Sequence, residues 1–153
     1  MLYLVRHAKA GSRSDWVGDD RPRPLSSPGR RQADALATRL APLAGGLLVS
    51  SPFLRCVQTL DPLAASLRTV VQTDERLAED TGFVGALALL DELPEGSVLC
   101  SHGDVIPDTI AALERRGCVV AGAPDWRKAS VWVLARDAGG AITRAACWPP
   151  PEV

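Results

Sequence analysis

The chain has 153 residues, 46% of them hydrophobic and 23% charged, a balance that fits a soluble globular protein and excludes disordered and fibrous classes. Its formal net charge of -1 argues against electrostatically driven binding to nucleic acid or an anionic membrane, while leaving room for a local cationic pocket. No apolar run approaches the ~20 residues of a membrane span, MLYLVRHAKA lacks the order of a signal peptide, and a chain of this length buries roughly 68 to 70% of its unfolded surface, so one cytoplasmic domain over 1–153 is expected.

The first element is LYLV at 2–5, a wholly apolar run that reads as a strand buried on both faces and ends at Arg6. A polar, aperiodic segment from Lys9 to Leu25 follows and is expected to be a long functional loop. Ser27 before Pro28 reads as an N-cap and first-turn pair, and Ala33, Leu36, Ala37 and Leu40 mark one helix face that Gly45 and Gly46 close. LLVS at 47–50 reads as the second strand. It leads into a helix over 54–67 that Pro62 is expected to kink or split. A strand at 69–72, a helix over 83–93, a buried strand SVLCS at 97–101 and a helix over 107–116 come next. At the end, 131–135 and 142–148 flank DAGGA, a hairpin signal.

Alternating strands and helices imply an α/β fold, a three-layer α/β/α sandwich with a mostly parallel sheet and an antiparallel C-terminal edge hairpin. Three apolar strands run straight into polar tips: Arg6-His7, Ser50-Ser51 with Arg55 beyond, and Ser101-His102-Gly103. Ligands of open α/β sheets bind outside the carboxyl ends of the strands, so these tips are expected to share one crevice. His7 and His102 are the only histidines. Either alone reads as a hydrogen-bonded structural residue. Together with Arg6 and Arg55 they form a cationic cluster that an anion must balance, and guanidinium forks match phosphate. Cys56, Cys100, Cys118 and Cys147 are scattered without a C-x-x-C pair, so no zinc site or disulfide framework, and no metal or other cofactor, is expected.

L-V-R-H-A at 4–8, the S-S-P segment through Gln58-Thr59, S-H-G-D at 101–104 and the helix G-R-R-Q-A at 29–33 together resemble the histidine phosphatase superfamily, also called phosphoglycerate-mutase-like. The resemblance implies that His7 is the nucleophile and that Arg6, Arg55 and His102 hold the transferring phosphoryl group without a metal. It also implies a proton donor after the third strand, here Glu79 of Leu77-Ala78-Glu79, with a solvated loop carboxylate as the alternative reading. Substrate contacts are expected from Lys9, Ser12, Arg13 and Trp16 of the long loop, and from Ser51, Gly103 and Asp104. Asp104 serves equally as a helix N-cap, and Trp126, Trp132 and Trp148 read as packing.

The chain is short for this superfamily, whose mutases carry inserted lids, so hydrolysis is expected over isomerisation. R-H-A-K looks like the small SixA-type enzymes acting on phosphohistidine proteins. R-H-A-K-A-G, W-x-G-D-D and S-H-G-D-V-I-P-D also resemble the phosphatase domain attached to some bacterial Nudix hydrolases, which implies nucleotide or dinucleoside polyphosphate substrates. A phosphate-recognising module without turnover is the reading from another class. The partner expected in each case is a phosphorylated ligand, a phosphohistidine protein or a nucleotide, and the oligomeric state is not readable.

Overall fold

The computed structural model describes residues 1–153. Seven strands and four α-helices form the chain: β1 (Leu2–Arg6), α1 (Ser27–Leu40), β2 (Leu48–Ser50), α2 (Leu54–Leu67), β3 (Val71–Thr73), α3 (Val84–Glu92), β4 (Val98–Ser101), α4 (Val105–Arg115), β5 (Val119–Ala121), β6 (Val131–Arg136) and β7 (Ile142–Trp148). The strands make one sheet in the order β3-β2-β4-β1-β6-β7-β5. Only β6 runs against the rest: β1 pairs antiparallel with it, β7 pairs antiparallel with it in turn, and the remaining pairings are parallel.

Side-chain alternation along β1 creates the layers. Leu2 and Leu4 face a core shared with α3 and α4 residues such as Leu87, Leu90, Ile106 and Ile110. Tyr3 and Val5 face the opposite core, built with Leu36 and Leu40 of α1 and Leu60 and Leu63 of α2. A strand covered on both faces needs apolar residues at every position, and Leu2, Leu4 and Val5 are at most 1% exposed. No helix is long and apolar enough to cross a membrane.

Several local expectations are corrected. Ser26, not Ser27, caps α1: its Oγ accepts from Gly29 N at 3.2 Å, and Pro28 falls at the second helical position. Pro62 does not split α2, which runs on from Leu54 to Leu67. The missing N–H costs one hydrogen bond, while Cys56, Leu60, Leu63 and Ala64, all at most 5% exposed, keep the helix seated on the sheet. The sequence pattern does not predict β5. It adds a parallel strand outside the C-terminal hairpin, so that β7 is flanked on both sides.

Candidate active site

β2, β4 and β1 are adjacent and parallel, with Ser50 in register with Cys100 and Arg6 with Ser101. Their carboxyl ends therefore lie side by side, and the three polar tips meet as the apolar runs implied. The backbone carries the ladder one residue further: His7 N donates to Ser101 O at 3.1 Å and Ser51 N to Cys100 O at 2.9 Å. His7 and His102 face each other edge to face, with ring centroids 5.5 Å apart.

A cleft of about 440 Å³ opens at this edge, lined by Arg6, His7, Ser12, Arg13, Glu79, Gly103 and Asp104 together with Ala10, Gly11, Arg23 and Lys128. Arg55, His102 and Ser51 lie beneath it, each at most 1% exposed. Most of the expected residues are thus brought together. Two are not in the cleft: Trp16 folds back on its own loop, its Nε1 donating to Asp19 O at 2.7 Å, and Lys9 lines a neighbouring groove on the other side of Arg6.

His7 is 5% exposed and reaches the cleft. Its Nδ1 donates to Ala8 O at 2.8 Å, the carbonyl next in sequence. Burial pushes its pKa down to about 3. The Ala8 carbonyl works against this shift, and repulsion from His102, Arg55 and Arg6 adds to it. The ring is neutral at pH 7, and with Nδ1 engaged the lone pair sits on Nε2. The segment behind it is fixed by Thr59, whose Oγ1 accepts from Ala8 N at 2.9 Å while its hydroxyl donates to Arg55 O at 2.7 Å.

Beneath His7, Phe53 N donates to Ser51 Oγ at 3.2 Å, and Ser51 Oγ lies 2.8 Å from His102 Nε2. Where the Ser51 hydroxyl donates its proton to Nε2, the ring hydrogen of His102 is on Nδ1. His102 Nδ1, Arg6 Nε and Arg55 Nε are buried and have no hydrogen-bond partner in the protein. Unpaired buried polar groups are costly, at about 1–3 kcal/mol each. Three of them on residues around one cleft constitute a site built to receive an acceptor with several oxygens.

The guanidiniums are held from outside. Arg6 Nη1 donates to Trp126 O at 2.6 Å, and the plane lies against Gly103 so closely that a Cβ there would sit 2.7 Å from Cζ. Arg55 Nη2 is 3.1 Å from Asp20 Oδ2 and 3.5 Å from Glu79 Oε2. Asp20 Oδ1 also accepts from Arg23 Nε at 2.7 Å. Burial would raise the Asp20 pKa, but the Arg23 hydrogen bond and the surrounding guanidiniums outweigh it and hold the carboxyl below its ordinary value. Glu79 is within reach of the cleft, paired to Arg13 at 2.6 Å.

Asp104 caps no helix nitrogen, contrary to one reading of it. Its Oδ2 accepts from Asp80 N at 2.8 Å, which ties the loop carrying Glu79 to the start of α4. Asp20, Arg23, Thr59, Asp104 in this tethering role, and Lys128 were not identified from sequence. For Lys128 a signal existed: the chain uses arginine for nearly every cation, and Lys9 and Lys128 are its only lysines. No cluster of three or more His, Cys, Asp or Glu side chains has the arrangement of a metal site.

Comparison with known proteins gives a consistent picture. The sequence pattern of the histidine phosphatase superfamily (branch 1) matches residues 2–86. An 8-oxo-(d)GTP phosphatase of Mycolicibacterium smegmatis is 35% identical over 157 aligned positions, covering 99% of this chain and 49% of that protein. The chain therefore spans about half the length of this curated relative. Among solved structures, a SixA protein from Nakamurella multipartitia superposes with a TM-score of 0.69 at 28% identity over 99% of this chain and 96% of that one. The protein histidine phosphatase SixA complexed with tungstate superposes with a TM-score of 0.68 at 24% identity, over 96% and 93% of the two chains.

Proposed function

Because the chain belongs to branch 1 of the histidine phosphatase superfamily, we propose that it hydrolyses a phosphorylated substrate in two steps through a phosphohistidine on His7. The observation that carries this reading is the neutral His7 imidazole, its Nδ1 tied to Ala8 O, standing beside three buried ring and guanidinium nitrogens that lack partners. In the first step His7 Nε2 attacks phosphorus and the P–O bond to the leaving group breaks. Arg6, Arg55 and His102 Nδ1 hold the equatorial oxygens, so that positioning and charge stabilisation supply most of the acceleration. Glu79 protonates the departing oxygen. Water then attacks the phosphohistidine, Glu79 takes its proton, and inorganic phosphate is released.

The segment between α2 and β4 supports hydrolysis over isomerisation, since β3, a short turn and α3 fill it and nothing there forms a lid that would keep water from the phosphoenzyme. The M. smegmatis relative favours a nucleotide as the substrate, and the SixA likeness a phosphohistidine protein. The test uses p-nitrophenyl phosphate as a generic substrate: turnover is expected in excess EDTA, and His7→Ala is expected to lose it. Turnover that survives His7→Ala, or that requires added metal, overturns the proposal.

A further inference from the structure

Beyond the cleft lies a second groove of about 580 Å³, and Arg6 and Lys128 line both spaces. Its other polar walls come from Lys9, Gln32, Arg127 and Glu152. The charges here are unevenly committed. Arg127 is paired with Asp125 at 2.6 Å, as Arg13 is with Glu79 and Arg55 with Asp20 in the cleft. Lys9 and Lys128 form no ion pair with any carboxylate, and they are the only two lysines in the sequence. An ammonium on a flexible stem binds phosphate oxygens as a point charge and follows them, whereas a guanidinium fork fixes one geometry.

Both lysines are placed by the same backbone that places His7. Lys9 N donates to Gln32 Oε1 at 2.9 Å, and its carbonyl accepts from Ser26 N at 3.0 Å. Ala129, next to Lys128, is fully buried with φ at 68°, a left-handed conformation that an alanine adopts only when held in it. What holds it is its N–H, bonded to Arg6 O at 3.1 Å and His7 O at 3.2 Å. Lys128 is consequently anchored to the strand end that carries the nucleophile. Burial, and then repulsion from Arg6, Arg23, Arg55 and Arg13, make its ammonium less basic than usual, a cost that a neighbouring anion relieves.

We infer that this groove is a second anion subsite, and that the preferred substrate is a small molecule carrying two linked phosphates, the terminal one presented to His7 and the next held by Lys128 and Lys9. The inference rests on the phosphatase reading and narrows its substrate to an anhydride such as a nucleoside diphosphate or a longer polyphosphate. The step balances simply. His7 Nε2 bonds to the terminal phosphorus, the bridging P–O bond breaks, and the released phosphate leaves as an anion whose charge the two ammoniums neutralise. Water then cleaves the P–N bond, so one anhydride and one water give two phosphates. Such a leaving group departs without a proton, and for it Glu79 matters less.

The probes are inorganic phosphate and the non-hydrolysable methylenebisphosphonate, titrated calorimetrically into the wild-type protein, the double variant Lys9→Gln/Lys128→Gln and the charge-preserving Lys9→Arg/Lys128→Arg, with thermal melting of each as a fold control. The wild type is expected to bind the bisphosphonate at least tenfold more tightly than phosphate. That preference is expected to collapse towards unity in the glutamine variant and to recover, at least partly, in the arginine variant. Equal affinity for the two probes in the wild type, or a preference undiminished in the folded glutamine variant, overturns the inference. Binding is read without turnover, so a protein that discriminates the two probes but fails to hydrolyse p-nitrophenyl phosphate refutes the phosphatase reading instead.

Discussion

Replacing Gly103 by alanine adds one carbon at a place where the fold tolerates it and the cleft does not. The new Cβ would lie 2.7 Å from Arg6 Cζ, 2.8 Å from Nη2 and 2.9 Å from Nε, against the 3.4 Å at which ordinary contact begins. The guanidinium must therefore retreat by about 0.7 Å or turn, and its 2.6 Å bond from Nη1 to Trp126 O resists both. Gly103 itself does not occupy the left-handed region, so alanine introduces no backbone strain. A displacement approaching 1 Å of a group that aligns the reacting phosphoryl costs about 10²-fold in rate. Gly103→Ala is expected to lower kcat on p-nitrophenyl phosphate by about that factor while the melting temperature stays within what ~1 kcal/mol allows. A double-mutant cycle makes the reasoning specific: in an Arg6→Ala background the Gly103→Ala change should do little more. Full activity in Gly103→Ala, or an undiminished further loss in the Arg6→Ala background, would refute the claim that Gly103 acts through Arg6.

Glu79→Gln removes the proposed proton donor, so hydrolysis of an alkyl phosphate with a poor leaving group should fall by about 10²- to 10⁴-fold and that of p-nitrophenyl phosphate much less; equal losses on both would remove Glu79 from that role. Because the folded His7 pKa is held down to about 3, its ring should show no titration between pH 8 and 5 by nitrogen-detected NMR, and an inflection near 6.5 would contradict the burial argument. The same depression makes the folded state bind a proton less readily than the unfolded chain. Stability from this group is complete above pH 6.5 and is lost as the pH falls towards 3, by about 3 kcal/mol at pH 4. Urea titrations at pH 7.5 and 4 should show His7→Gln escaping that part of the acid loss. Thr59→Val leaves the buried Ala8 N–H without its 2.9 Å acceptor and should cost about 1–3 kcal/mol, read by the same titrations; an unchanged stability would show that the contact carries no weight.

The parallel centre of the sheet was legible because strands covered on both faces must be apolar throughout, and each of β1, β2 and β4 stops where a polar tip begins. Those tips carried Arg6, His7, Ser51 and His102 into view. β5 was not legible: three residues, with Val119 exposed and Val120 and Ala121 half-buried, bear no period that separates a strand from a loop. Asp20 and Arg23 sit in a segment whose composition reads as solvated, and only the fold shows Arg23 buried and Asp20 bridging it to Arg55. Asp104 has the position of an N-cap, yet its oxygen is taken by Asp80 N, a contact set by how the loop after Glu79 packs rather than by local spacing. The scarcity of lysine marks Lys128 but not its place: it reaches the cleft from a segment over a hundred residues from His7, through a backbone turn at Ala129 that no residue preference announces.

The proposed covalent step is tested most directly by rapid quench of the protein with a substrate labelled in its transferable phosphate, followed by peptide mapping. The account predicts a single phosphoryl group on the imidazole of His7, stable in base, lost in acid and absent from His7→Ala. Label on a serine or carboxylate side chain, or rapid turnover with no labelled protein under conditions that accumulate the intermediate, would contradict it.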